Sequence, residues 1–345
     1  MEDKTRQKLL TVTIPAYNAE QFLETCLASL CRKEVLDTLE VLVVNDGSTD
    51  GTKALAESWQ ARYPETVRVI SKENGGHGSG INTGIREASG RYFKIVDADD
   101  WVDPKAFLKL MEALGSTDVD AVVSGFYWAF EEPGKQPEEF PRKAEMKENF
   151  RGVEYGRKYR FDEIASKCYL KMHGLSWRTE VLRAHGIRVD EKCYYVDTEY
   201  ILYPIPYIET VLFIPDFVYQ YRIGRSGQSI SADRMQKNAA NYDRVMQSLC
   251  TFTKRCETGE IPCTEAKLAY IHGIVARVAA GRIKIILSFP PDKTHKAELR
   301  SFDQGLKKNF PEIYAANRNR AVQFLRFSGY QLYRPAAWML RYKKL

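Results

Sequence analysis

Several short runs in this 345-residue sequence gather side chains that can do chemistry on a charged leaving group. Asp97-Ala98-Asp99-Asp100 closes the apolar stretch FKIV, and carboxylates two apart on an extended chain point to one face. Such oxygen ligands suit Mg2+ or Mn2+, which can bridge a bound diphosphate. Taken alone, the run also reads as a capping turn before Pro104. Asp46 ends a second apolar run, where a carboxylate can accept hydrogen bonds from a nucleobase N–H or a ribose hydroxyl. Pro15-Ala16-Tyr17-Asn18 ends a third and offers a backbone edge and an aromatic face for the base. The plainer uses are packing for Tyr17 and helix capping for Asp46.

Three further runs complete the set. Asn74-Gly75-Gly76-His77-Gly78-Ser79-Gly80 precedes a helical pattern, and backbone N–H groups at a helix start favour anions such as diphosphate. His77 can touch a phosphate or a metal there, or merely cap the turn. The run satisfies neither the dinucleotide fingerprint GxGxxG nor the P-loop GxxxxGK[ST]. In CYYVDTEYILYPI, Asp197 and Glu199 stand where an aromatic run meets a helix start; either is a candidate general base, or a carboxylate favoured by the helix dipole. YQYRIGRSGQSIS sets Arg222, Arg225, Ser229 and Ser231 on a Gly-bearing loop, where forks and hydroxyls suit a departing diphosphate. A solvated loop is the alternative.

The elements that must position these residues follow from periodicity. Residues 9–17, 39–46, 67–72, 91–100 and 118–126 read as strands, alternating with helical patterns over 19–32, 49–63, 80–90 and 104–115. That alternation predicts βαβ units, hence an α/β, Rossmann-like, mostly parallel central sheet flanked by helices. Ligands bind such sheets beyond the carboxyl ends of the strands, where Asp46 and the Asp97, Asp99, Asp100 cluster fall. Crowded carboxylates there call for a cation. Residues 131–150 are polar and proline-bearing, and read as a loop or insert over the sheet edge. Short strands over 210–215 and 217–222 follow, and helical periodicity takes over from Asp233. The division predicted is a catalytic domain over 1–231, with a donor- and metal-binding half to about residue 125, and a helical region over 232–345.

Composition narrows the class. Hydrophobic residues make up 44% and charged residues 28%, which excludes wholesale disorder and collagen-like repeats. No apolar run is long enough to span a membrane, and MEDKTRQKLL is charged where a signal peptide would be apolar, so a cytoplasmic location is expected. The 7 cysteines lack CxxC spacing and read as reduced and mostly buried, not as a zinc site. A net charge of +6 hides an asymmetry: residues 1–125 carry −6 and the last fifty +8. Basic charge confined to one end argues against nucleic acid as the partner.

Taken in order, TVTIPAYNAE, VLVVNDGSTDGT, ENGGHGSGINTGIREASG, YFKIVDADD, YYVDTEY and YRIGRSGQSIS make the sequence, over about residues 8–231, resemble the family-2 glycosyltransferases. The resemblance implies a GT-A fold and inverting, metal-dependent transfer from a nucleotide sugar, commonly a UDP-sugar, to a carbohydrate or lipid-linked acceptor. By position, Pro15, Tyr17 and Asp46 would line the nucleoside pocket, and Asp97 and Asp99 would be the D-x-D pair, with Asp99 in direct contact with Mn2+ or Mg2+. Asp197 matches the second residue of the family's Glu-Asp pair, the catalytic base; Val196 replaces the first. Arg222 and Ser229, or in another register Arg225 and Ser231, match the loop closing over the diphosphate.

Two other readings compete. A sugar nucleotidyltransferase also uses a sheet, a metal and carboxylates, but its Gly-rich basic signature near the N-terminus is replaced here by PAYNAE. A non-catalytic carbohydrate-binding homologue would not need Asp46, Asp97, Asp99 and Asp197 together. The segment AVQFLRFSGYQLYRPAAWMLRYKKL mixes aromatic and basic residues, as a peripheral membrane segment or a packed helix would.

Overall fold

The computed structural model describes residues 8–145, 150, 152–224 and 232–342. The chain divides into two compact units, Met1–Arg225 and Ser226–Leu345.

The first unit begins β1 (Leu10–Ala16), α1 (Glu20–Leu30), β2 (Leu39–Asp46), α2 (Thr52–Arg62), β3 (Val67–Lys72), α3 (His77–Glu87) and β4 (Tyr92–Ile95). It continues through β5 (Trp101–Val102), α4 (Pro104–Gly115), β6 (Ala121–Phe130), β7 (Arg142–Glu145), β8 (Lys158–Arg160) and α5 (Phe161–Ile164). It closes with β9 (Leu175–Arg178), α6 (Thr179–Ala184), α7 (Asp197–Leu202) and β10 (Thr210–Ile223). The strands form one sheet in the order β3-β2-β1-β4-β9-β6-β10-β5, with β7 added beside β6 and β8 beside β10. Pairing is parallel from β3 through β4, antiparallel where β9 enters between β4 and β6, and parallel again between β6 and β10. Every residue of β1 and β2 is buried, which explains their unbroken apolar runs: both faces of the sheet are covered.

Three local outcomes differ from the periodicity. The strand expected over 91–100 stops at Ile95, and the Asp100 N–H turns back to the Asp97 carbonyl at 3.0 Å. The acidic cluster is therefore a turn, and the two-residue alternation of a strand does not orient it. The two strands expected over 210–222 are one, β10, whose register shifts between Phe213 and Phe217 around Pro215, which has no N–H to donate. The polar stretch expected as a loop contributes β7, paired with β6.

The second unit is helical: α8 (Ala232–Lys237), α9 (Ala239–Glu257), α10 (Glu265–Ser288), α11 (Lys293–Asn309), α12 (Pro311–Ala316), α13 (Arg320–Phe327) and α14 (Tyr333–Tyr342). Thr264, Asp292 and Asn319 cap α10, α11 and α13 through side-chain oxygens. Ile283, Ile286 and Leu287 of α10 form a core with Leu299, Val322, Leu325, Tyr330, Tyr333 and Ala337. The basic tail helices thus pack inward on the helical unit itself. Among the described residues, no helix is long and apolar enough to cross a membrane.

Candidate active site

The ends of β1, β2 and β4 and the start of α3 meet because α3 lies unusually close to β1. Cβ atoms at Gly80 and Gly84 would collide with Pro15 and Thr13, and one at Gly78 with the Asp190 carbonyl. The Gly-rich run is needed first for this close approach. Two of its backbone N–H groups are already engaged: Gly75 and Gly76 donate to the Asp46 carboxylate at 2.9 and 2.7 Å, and Lys72 Nζ adds a third donor at 2.8 Å. The expectation that the amides of this run await an anion is corrected for Gly75 and Gly76, since Asp46 is the anion they hold. With four lone-pair sites on a carboxylate, about one remains for a ligand. Pro15 is buried, and Tyr17 stands 54% exposed at the end of β1.

His77, the first residue of α3, places Nε2 2.8 Å from Asp97 Oδ1. Burial pulls its pKa down, but Asp97, and beyond it Asp197 and Asp99, outweigh this and raise it to about 9. The imidazolium is charged at neutral pH and stands among three carboxylates. Burial pulls the Asp97 pKa up, yet the charge and hydrogen bond of His77 hold it below the usual carboxylate range. Asp197, at the start of α7, is half-buried; desolvation raises its pKa, with His77 pulling it down and Asp97 up. Glu199 is fully buried and accepts the Asp190 N–H at 2.7 Å, so it ties α7 to the loop packed on Gly78.

Asp100 is 1% exposed and accepts from the Tyr219 hydroxyl at 2.6 Å and the Arg222 N–H at 2.8 Å. Desolvation, then Asp99 and Asp97, push its pKa up. Arg222 is 4% exposed; its guanidinium is enclosed by the rings of Phe22, Trp101 and Phe140, and Nε donates to the Asp99 carbonyl at 2.7 Å. Arg222, expected to reach a diphosphate, here lies against the D-x-D turn, bonded to its backbone. Arg225, Ser229 and Ser231 lie outside the described residues.

Sequence reasoning missed two neighbours. His173 packs against Phe126, Tyr219 and Tyr221, burial lowers its pKa to about 4, and its Nδ1 is buried without a hydrogen-bond partner. Lys94 of β4 is fully buried and donates to the carbonyls of His173 and Leu175 at 2.6 and 3.3 Å. Burial lowers its pKa to about 7. Neither residue sits in a motif. The one hint was a lysine inside the apolar run YFKIV.

Among the described residues, ligand atoms of Asp97, Asp100 and His173 lie within 4.8 Å of one another. Asp99, expected in direct metal contact, is outside that group. Hard carboxylate oxygens with one imidazole, whose buried nitrogen has no other partner, fit Mn2+ or Mg2+. Asp100 fits least well, because both its oxygens already accept hydrogen bonds.

Residues 11–176 match the sequence profile of glycosyl transferase family 2. The uncharacterized glycosyltransferase EpsJ of Bacillus subtilis is 40% identical over 119 residues, 34% of each chain. A teichoic acid poly(glycerol phosphate) polymerase of Staphylococcus epidermidis is 29% identical over 216 residues, 62% of this chain and 28% of that one. This chain spans 60% or less of the length of such curated relatives. Among solved structures, S. aureus TarS 1–349 in complex with UDP-GlcNAc superposes with a TM-score of 0.54 at 16% identity, over 93% of this chain and 92% of that one. Over residues 11–176 the chain is thus similar to glycosyltransferase family 2, and its fold is that of a GT-A glycosyltransferase.

Proposed function

We propose that this chain is an inverting transferase moving a sugar from a nucleotide sugar, a UDP-sugar in preference, to a hydroxyl of a glycan, polyol-phosphate or lipid-linked acceptor. The observation that carries this is the convergence of Asp197, His77 and Asp97 at one end of the sheet, with perturbed titration in all three. Asp197 takes the proton of the acceptor hydroxyl. That oxygen attacks the anomeric carbon from the face opposite the nucleotide, and the bond to the diphosphate breaks. Raised above the usual carboxylate range, Asp197 is a better proton acceptor than an exposed aspartate. Tyr17 and Pro15 line the nucleoside pocket, with Asp46 at its rim. His77 and Arg222 hold the D-x-D turn.

Asp97, with Asp99 and His173 beside it, would hold Mn2+ or Mg2+, which when bound neutralises charge on the diphosphate. The UDP-GlcNAc held by S. aureus TarS supports the donor class, and the relation to a poly(glycerol phosphate) polymerase supports the acceptor class. The test is nucleoside diphosphate release from a panel of UDP-, GDP- and dTDP-sugars with either metal. Asp197→Asn should keep donor-induced thermal stabilisation and lose turnover by ~10²–10⁴, the usual worth of a general base. Near-wild-type turnover in that variant would remove Asp197 from the role.

A further inference from the structure

The helical unit contains a cavity of about 940 Å³ walled by α10, α12, α13 and α14. Its lining is divided by chemistry. Ile283, Leu287, Val322, Leu325 and Leu340 make an aliphatic surface, while Arg277, Lys284 and Arg318 bring three cations against one carboxylate, Glu312. No ion pair engages Lys284 or Arg318 among the described residues. The wall on α10 is kept low by Ala269, Gly273 and Ala280. A glycine inside a helix is an unfavourable choice. At Gly273 neither a positive φ nor a close neighbour requires one, since a Cβ there would meet nothing within 4 Å. Its missing side chain leaves cavity space open.

A second observation lies on two of the same helices. Of the eight exposed large apolar residues in the described structure, four fall in α13 and α14: Phe324, Phe327, Trp338 and Met339, exposed by 62%, 90%, 60% and 55%. Exposed Arg320 and Arg334 stand among them. Aromatic and aliphatic groups interleaved with arginine are the composition of an interfacial helix.

We propose that the helical unit docks on an anionic bilayer through α13 and α14 and seats the phosphate headgroup and first methylenes of a lipid in this cavity. The cations meet the phosphate, the aliphatic floor takes the chain, and the outer aromatics enter the headgroup layer. This goes beyond the transfer reaction and does not depend on it.

The experiment is flotation of the full chain with vesicles of phosphatidylcholine alone, or with phosphatidylglycerol as the minority lipid. The wild type should float with the anionic vesicles only. K284Q/R318Q should bind roughly thirtyfold more weakly, at about 1 kcal/mol per basic residue near a charged surface. F327S/W338S should lose binding by a similar factor, and G273F, or G273L if the larger side chain impairs folding, should weaken it by filling the cavity. Circular dichroism should stay unchanged in each.

Failure of the wild type to float with anionic vesicles overturns the proposal. Full binding by G273F and G273L overturns the cavity's part in it. Thermal stabilisation by glycerol phosphate or inorganic phosphate, lost in K284Q/R318Q and without vesicle binding, would make the cavity a soluble phosphate site and refute the lipid. Nucleoside diphosphate release, measured on the same variants, should be unaffected. Its absence in a wild type that still floats would count against the transferase reading alone.

Discussion

Lys94 provides the sharpest physical test. Its ammonium group is fully buried on β4, and burial lowers its pKa from the ordinary 10.5 to about 7. Between those values the unfolded chain holds a proton that the folded chain has released, so stability rises with pH across the window. At ~1.4 kcal/mol per pKa unit, the swing is about 5 kcal/mol. Lys94→Met removes that swing and leaves the carbonyls of His173 and Leu175 without this donor, at roughly 1–2 kcal/mol each. The variant should therefore be more stable than wild type by roughly 1–3 kcal/mol near about pH 6, and less stable by roughly 1–3 kcal/mol near about pH 10. Urea unfolding followed by tryptophan fluorescence reads this, because four of the five tryptophans, Trp59, Trp101, Trp128 and Trp177, lie in the first unit. Titrations of other groups cancel in the difference between the two proteins. A difference that stays constant to within about 1 kcal/mol over that range would refute the buried-cation argument.

Three further outcomes are expected. Asp197 must be ionised to act as a base, so kcat/KM should fall as pH drops through its raised pKa; His77→Gln removes the cation pulling that pKa down and should move the acid limb to higher pH, and coincident limbs would exclude His77 as the cause. Arg222→Lys loses the planar contact with three rings and the bond to the Asp99 carbonyl, and should cost about 2 kcal/mol of stability and weaken Mn2+-induced thermal stabilisation; an unchanged melting temperature would contradict its positioning role. Gly84→Val drives a branched side chain into Thr13 and should cost about 1–3 kcal/mol or more, read as a lowered urea midpoint, with wild-type stability disproving the tight α3–β1 contact.

Much of the site was legible before the fold was known. Asp46, Asp97 and Asp99 stood out because each follows a buried apolar run, and in an open α/β sheet such positions fall on the ligand side. Asp197 was legible as a carboxylate at a helix start. The burial of Arg222 was not legible, because only β5, α1 and the segment at Phe140 converging on it make a cage. The Gly-rich run was read for its amides when its lack of Cβ atoms matters first.

The sequence by itself determined the alternation of strands and helices from β1 to α4 and which carboxylates reach the rim of the sheet, because hydrophobic period and strand ends are local properties. Only the tertiary structure decided how each of those carboxylates is spent. Asp46 is held by the glycine amides, Asp100 accepts from Tyr219 and Arg222, and Asp97 is charged against His77. His173 and Lys94 joined the site the same way, and their contact spans 79 residues, as that of Arg222 with Asp99 spans 123. Desolvation and hydrogen-bond partners are set by what packs around a group, and those neighbours are remote in the chain.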